Sequence, residues 1–164
     1  MTQFPTLGDT LKIWLKGAEC IVIVGIGNEL RQDDFVGVQV VRKLKGKVPE
    51  HVKLIESETV PESYLDEIVE FNPTHILIID AGALGCEPGT IKFIHYDAIL
   101  KADSVVSTHS LPLRVFCDYL ATTLGARIAL LIIEPENTAF GEGLSEIIGD
   151  VASELIATLL HSLS

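Results

Sequence analysis

Asp33 and Asp34 stand side by side just past the turn Gly25-Ile26-Gly27-Asn28, and that turn closes the apolar run Cys20-Ile21-Val22-Ile23-Val24. A turn at the carboxyl end of a buried strand is where open α/β proteins keep their sites. A phosphate site would place backbone N–H groups and a further glycine there. This chain places two carboxylates there, which suit a cation. An acidic residue ahead of a helix also serves as a cap or dipole partner, but that role needs only one of the two. The pair therefore divides into Asp34 for ligation or catalysis and Asp33 for capping or turn structure.

Asp80 ends the apolar run Thr74-His75-Ile76-Leu77-Ile78-Ile79. A carboxylate there must be hydrogen-bonded, paired or metal-bound, because an isolated buried charge is costly. Structural and functional roles are both open at this point. His109 stands between Thr108 and Ser110, ahead of Pro112. A lone loop histidine is more often structural than a ligand, and convergence with two carboxylates would reverse that. Two carboxylates and an imidazole form a hard-to-borderline set suited to Ni²⁺, Zn²⁺ or Mn²⁺. Three ligands leave positions open for water or an incoming group.

The elements that must position these residues follow from periodicity. Leu7, Leu11, Trp14 and Leu15 predict a leading helix over 7–16, and 20–26 reads as a continuous apolar strand. Val36, Val40, Val41 and Leu44 predict a helix starting near Phe35 and ending near Lys45-Gly46. His51 to Glu56 reads as a second strand. Thr59-Val60-Pro61-Glu62 matches a capping box with proline in the first turn, followed by a helix to Phe71 that Asn72-Pro73 breaks. Residues 74–80 form a third strand and 90–96 a fourth. Pro112 opens a helix to Leu124, 127–133 form a last strand, and a helix from Ser145 to about Leu160 closes the chain. His51, His75 and His161 fall at element ends and are expected in solvent, and His95 on the exposed side of the fourth strand.

Strands alternating with helices predict a three-layer α/β/α sandwich on a mostly parallel sheet of about five strands. If the order is 2-1-3-4-5, the switch point lies between the first and third strands. Asp33, Asp34, Asp80 and the His109 loop, taken as following a fourth parallel strand, then share one edge. The whole chain, 1–164, reads as one domain, with 1–19 a helical extension packed on the core.

Composition narrows the partners. The net charge of −11 repels phosphate backbones, and no basic run offsets it, which argues against nucleic acid. The mean hydropathy of +0.38 fits strands buried on both faces. No apolar stretch approaches the ~20 residues of a membrane helix, and residues 1–7 lack the pattern of a signal peptide. Cys20, Cys86 and Cys117 form no C-x-x-C motif and predict free thiols in a reducing compartment.

Competing site types match less well. Gly25-Ile26-Gly27-Asn28-Glu29-Leu30 begins like a dinucleotide fingerprint, but Leu30 takes the third glycine's place. Glu56 lies beyond the usual spacing of a ribose-binding acid. The chain has no Walker loop, no G-x-S-x-G elbow and no Cys–His signature.

From about Ile21 onward the chain resembles the maturation proteases of [NiFe] hydrogenases, in particular the hydrogenase 3 type. The resemblance rests on Gly25-Ile26-Gly27-Asn28 with Asp33-Asp34; Ile79-Asp80-Ala81; Pro88-Gly89; Thr108-His109-Ser110-Leu111-Pro112; and Glu134-Pro135 with Phe140-Gly141-Glu142-Gly143-Leu144-Ser145. It implies an α/β/α sandwich and an endopeptidase that removes a C-terminal extension from the nickel-loaded hydrogenase large-subunit precursor. It implies Asp34, Asp80 and His109 as metal ligands, with Asp34 and Asp80 catalytic and Asn28, Asp33 and Glu134 in support. Nickel is then expected to arrive with the precursor, and other divalent cations to fit the same site. A cytoplasmic monomer is expected. Gln32 and Phe35 depart from the smaller residues usual around the acidic pair, and Phe35 is expected to narrow the mouth. A nickel-binding chaperone without hydrolysis, or a nucleotide-binding module using Gly25 and Gly27, would use many of the same residues.

Overall fold

The computed structural model describes residues 4–101 and 110–164. Its elements run α1 (Leu7–Trp14), β1 (Ile21–Ile26), a 3-10 turn (Gln32–Phe35) leading into α2 (Val36–Leu44), and β2 (Val52–Glu58). A second 3-10 turn (Pro61–Tyr64) leads into α3 (Leu65–Phe71), and β3 (His75–Ala81) follows. Next come β4 (Ile91–His95), α4 (Tyr96–Lys101), α5 (Ser110–Leu124), β5 (Arg127–Ile133) and α6 (Glu146–Leu163).

The strands form one five-stranded sheet in the order β2-β1-β3-β5-β4. β2, β1, β3 and β5 pair in parallel, and β4 runs antiparallel along the outer edge of β5. The mostly parallel α/β/α sandwich is as expected, and the strand order departs from the 2-1-3-4-5 arrangement in placing β5 beside β3. Parallel neighbours need a crossover of a dozen or more residues, usually a helix. The β3–β4 loop has none, so β4 turns back, and β5 takes the place beside β3 after α5. β4 therefore ends on the edge opposite the carboxyl ends of the other strands. His109 does not follow a parallel fourth strand, and it lies outside the described residues.

Period-two alternation sorts the core into two layers. Ile21, Ile23, Leu77, Ile79, Leu131 and Ile133 join α1, α2 and α6 on one face. Val22, Val24, Ile76, Ile78, Leu130 and Ile132 join α3 and α5 on the other. Each such side chain contributes about 1.5–3 kcal/mol on burial, so a one-residue slip in any central strand would be prohibitive.

Local signals hold unevenly. Thr6, not a residue inside the predicted span, caps α1 through a reciprocal box with Asp9. Thr59 forms no capping box: Val60 precedes the Pro61 turn and no side chain caps it. Proline fixes φ and removes an N–H, so the chain enters as a 3-10 turn before α3 begins. His75 is a second correction, since it is buried at 4 % exposure rather than solvated. Trp14 of α1 packs edge-on against it at 5.0 Å, so the leading helix covers the position where β3 starts.

Candidate active site

The switch point lies between β1 and β3, whose chains depart to opposite sides of the sheet. Three glycines let α2 sit directly on it. A Cβ at Gly25 would lie 2.4 Å from the Gly37 carbonyl oxygen, and one at Gly37 only 2.1 Å from that of Ile79. A Cβ at Gly27 would lie 2.2 Å from the Asp34 carbonyl oxygen. The room these glycines leave is filled by the protein's own backbone, not held open for a pyrophosphate, which removes the structural basis for a nucleotide site. The helix–strand contact that a third fingerprint glycine would provide comes instead from Gly37, which the sequence reading missed. Its signal was a glycine among the apolar residues at the start of α2.

Beyond Gly27 the chain curls so that both aspartates point to different places. The Asn28 side-chain oxygen accepts from the Leu30 N–H at 2.9 Å, and the Asn28 N–H donates to Asp34 Oδ2 at 3.0 Å. Gln32 follows at φ +45°, an uncommon conformation for a residue with a Cβ. The Gln32 side chain donates to the Ala139 carbonyl at 3.2 Å. Phe35 is buried beneath the Arg42 guanidinium, 5.1 Å from its ring centroid. It therefore packs into the fold and does not narrow a mouth.

Asp33 is fully buried and saturated. Its carboxylate accepts from the Glu136 and Asn137 N–H groups at 3.0 and 2.9 Å, and from the Ser145 N–H and hydroxyl at 2.7 and 2.8 Å. Ser145 precedes α6, and its hydroxyl is spent on Asp33 instead of capping the helix. Asp33 thereby ties the first turn to the segment 134–145. Glu134 does similar work across the edge: its Oε2 accepts from the Leu84 N–H at 2.5 Å and holds the loop after β3.

Asp80 is different. It is fully buried, and neither carboxylate oxygen has a hydrogen-bond partner among the described residues. Burial holds its pKa well above the carboxylate range, and the nearby Asp34 charge raises it further. The Ala81 N–H opposes the rise, without reaching hydrogen-bond geometry. Asp34 is half-buried and lines a cavity of about 310 Å³ together with Asn28, Arg31, Thr59 and Thr138.

The geometry thus brings Asp34 and Asp80 together, with Asn28 holding Asp34, and gives Asp33 and Glu134 hydrogen-bonded structural positions. Among the described residues no three His, Cys, Asp or Glu side chains gather as a metal site. The donor chemistry still fits a cation. Asp80 has two buried oxygens unpartnered among the described residues, beside a second carboxylate, and a divalent ion would satisfy what no described donor does.

The sequence profile of the hydrogenase maturation proteases (HycI) matches residues 38–162. The chain belongs to that family. A putative hydrogenase maturation protease of Methanocaldococcus jannaschii is 38 % identical over 155 residues, spanning 90 % of each chain. The hydrogenase 3 maturation protease of Escherichia coli K12 is 28 % identical, over 84 % of this chain and 87 % of its own. The crystal structure of the [NiFe] hydrogenase maturation protease HycI from Thermococcus kodakarensis superposes with a TM-score of 0.86 at 34 % identity. That alignment covers 94 % of this chain and 98 % of the other. Family membership makes the chain a peptidase.

Proposed function

We propose that this maturation protease removes the C-terminal extension of a nickel-loaded [NiFe] hydrogenase large-subunit precursor. The observation that carries the reading is Asp80: a buried carboxyl with no hydrogen-bond partner among the described residues, beside Asp34, at the switch point of the sheet. A protein tolerates such a group where its chemistry is used.

In this reading nickel is part of the substrate. Asp34 and Asp80 receive it, and the family resemblance adds His109 as the third ligand. Only a loaded precursor brings the cation to the two carboxylates, so nickel insertion is checked before cutting. The ion supplies positive charge that lowers the pKa of a bound water or polarises a bound carbonyl. Asp34, open to the cavity, takes the proton of the attacking water. The water oxygen bonds to the scissile carbonyl carbon, the C–N bond breaks, and the proton passes to the departing amine. Carboxylate-assisted attack and metal assistance meet in the same pair of residues. Asp33 and Glu134 hold the loops that frame them.

Among the described residues no helix is long and apolar enough to cross a membrane. In this reading the chain acts in the cytoplasm, as a monomer, on the large-subunit precursor. The test mixes purified protein with precursor, with and without nickel, and follows precursor mass. Nickel-dependent loss of a C-terminal peptide supports the reading. Stable binding of a precursor that keeps its tail would instead make the chain a non-hydrolytic nickel chaperone.

A further inference from the structure

Arg31 is an exposed side chain beside the catalytic cavity, and it belongs to neither acidic group. It lines the same cavity as Asp34, and its Nε donates to the Thr138 carbonyl at 3.1 Å. It makes no ion pair among the described residues. That single Nε bond is not needed to hold the segment 137–141 in place. The Gln32 N–H already donates to the Gly141 carbonyl at 3.0 Å, the Gly141 N–H to the Leu30 carbonyl at 2.8 Å, and the Asp33 N–H to the Asn137 carbonyl at 3.0 Å. The Asp33 carboxylate adds its own four bonds to the same segment and to Ser145. What the Arg31 bond does accomplish is orientation. A guanidinium has five N–H donors in a rigid plane, and fixing Nε leaves four on the terminal nitrogens.

We propose that Arg31 is a substrate-binding residue whose free guanidinium edge holds an acceptor oxygen of the precursor peptide next to the bond that is cut. The inference rests on the peptidase reading above. The need for such a group is electrostatic. Asp34 favours a cation but repels the oxygens of a peptide laid across it, and Arg31 is the cation among the residues lining the cavity. The acceptor is a side-chain carboxylate flanking the cut or a main-chain carbonyl, and the guanidinium fork suits either.

The test compares wild type with Arg31→Gln and Arg31→Lys in cleavage of nickel-loaded precursor, and measures precursor binding by calorimetry alongside. Arg31→Gln is expected to raise KM and Kd about 10- to 100-fold, the factor carried by a charge-assisted hydrogen bond, with kcat changed less than about threefold. Arg31→Lys keeps the charge without the fork and is expected to fall between. The melting temperature should stay within about 2 °C of wild type, since the strap keeps its other bonds. A precursor whose flanking acidic residues are changed to amides separates the two sources. If wild type then binds as weakly as Arg31→Gln, the acceptor is a carboxylate; if wild type is unaffected, it is a carbonyl. Unchanged KM and Kd in Arg31→Gln overturn the inference, as does weaker binding accompanied by a fall in melting temperature. Failure of wild type to cut, with Arg31-dependent binding intact, overturns the peptidase reading alone.

Discussion

Burial raises the pKa of Asp80, and the charge of Asp34 raises it further; the Asp80 carboxyl lies at the end of β3 without a hydrogen bond among the described residues. The two residues come from different strands and meet only because β1 and β3 are neighbours in the sheet. The folded state therefore holds the Asp80 proton more tightly than the unfolded chain does. From about pH 4, the unfolded value, up to the raised folded value, the folded state carries the extra proton. Stability contributed by this group is full below that window and is lost as pH rises through it. Asp80→Asn removes the titration. Relative to wild type, the variant should gain stability by up to about 1.4 kcal/mol per pH unit across the window, then stay level. Urea unfolding at pH 4 to 8 measures it, and a pH-independent difference would sink the idea. Cleavage should be abolished at every pH.

Asp33 and Asp34 should separate cleanly under mutation, despite being adjacent. Asp33→Ala strips the acceptor from three backbone N–H groups and a hydroxyl. Unsatisfied donors cost about 1–3 kcal/mol each unless water reaches them, so a loss of about 3 kcal/mol is expected overall. For a domain of this size that lowers the melting temperature by about 6–12 °C. Asp34→Asn loses little, since among the described residues Asp34 accepts only the Asn28 N–H. It should melt within about 3 °C of wild type and lack activity. Calorimetric melts of the two variants check both statements. Equal destabilisation would contradict the division of roles.

Gly37→Ala should be among the most damaging small substitutions in the chain. The added Cβ would lie 2.1 Å from the Ile79 carbonyl oxygen and 2.5 Å from that of Ile26. Neither contact is with a side chain that can swing away. Alanine is the better helix former by up to about 1 kcal/mol, and the clash should outweigh it by about 3 kcal/mol. The expected result is a markedly lower melting temperature with cleavage impaired in the folded fraction, because α2 must lift away from the strand ends that carry the site. A neutral or stabilising Gly37→Ala would show that α2 does not rest on Ile79.

Much of this arrangement was legible because short-range chemistry wrote it. The turn after β1, the acidic pair, and the carboxylate closing an apolar strand are all local patterns, and each lands at the switch point. What was not legible depended on partners far along the chain. Asp33 looked like a cap for the following helix, yet its donors lie more than a hundred residues later, at Glu136, Asn137 and Ser145. The exchange of β4 and β5 relative to the 2-1-3-4-5 order turns on the lack of a helix between β3 and β4, which lets β4 run antiparallel along β5. Phe35 is expected to narrow the mouth beside Asp34, but the 3-10 turn carries it into the fold under Arg42. Gly37 hid among helix residues because close backbone approach leaves no trace except the missing side chain.

His75 supplies a pH dependence of the opposite sign, far from the site. It begins β3, is buried at 4 % exposure, and packs against Trp14. Its Nδ1 lies 2.9 Å from the Thr74 hydroxyl, and Nε2 has no partner among the described residues. Burial lowers its pKa, the Trp14 main chain opposes part of that, and the Arg127 charge adds to the lowering. The neutral ring is therefore favoured in the folded state. Above about pH 6.5 neither state is protonated and the group is silent; below it the unfolded chain takes up a proton first. Stability should fall as pH drops from about 6.5 through the lowered folded value, by up to about 1.4 kcal/mol per pH unit. His75→Phe keeps the aromatic contact and removes the proton. Its unfolding free energy should exceed that of wild type by a margin that widens between pH 6.5 and 5. A constant margin over that range would mean that His75 takes up its proton equally in both states, so that folding does not lower its pKa, and that any acid sensitivity arises elsewhere.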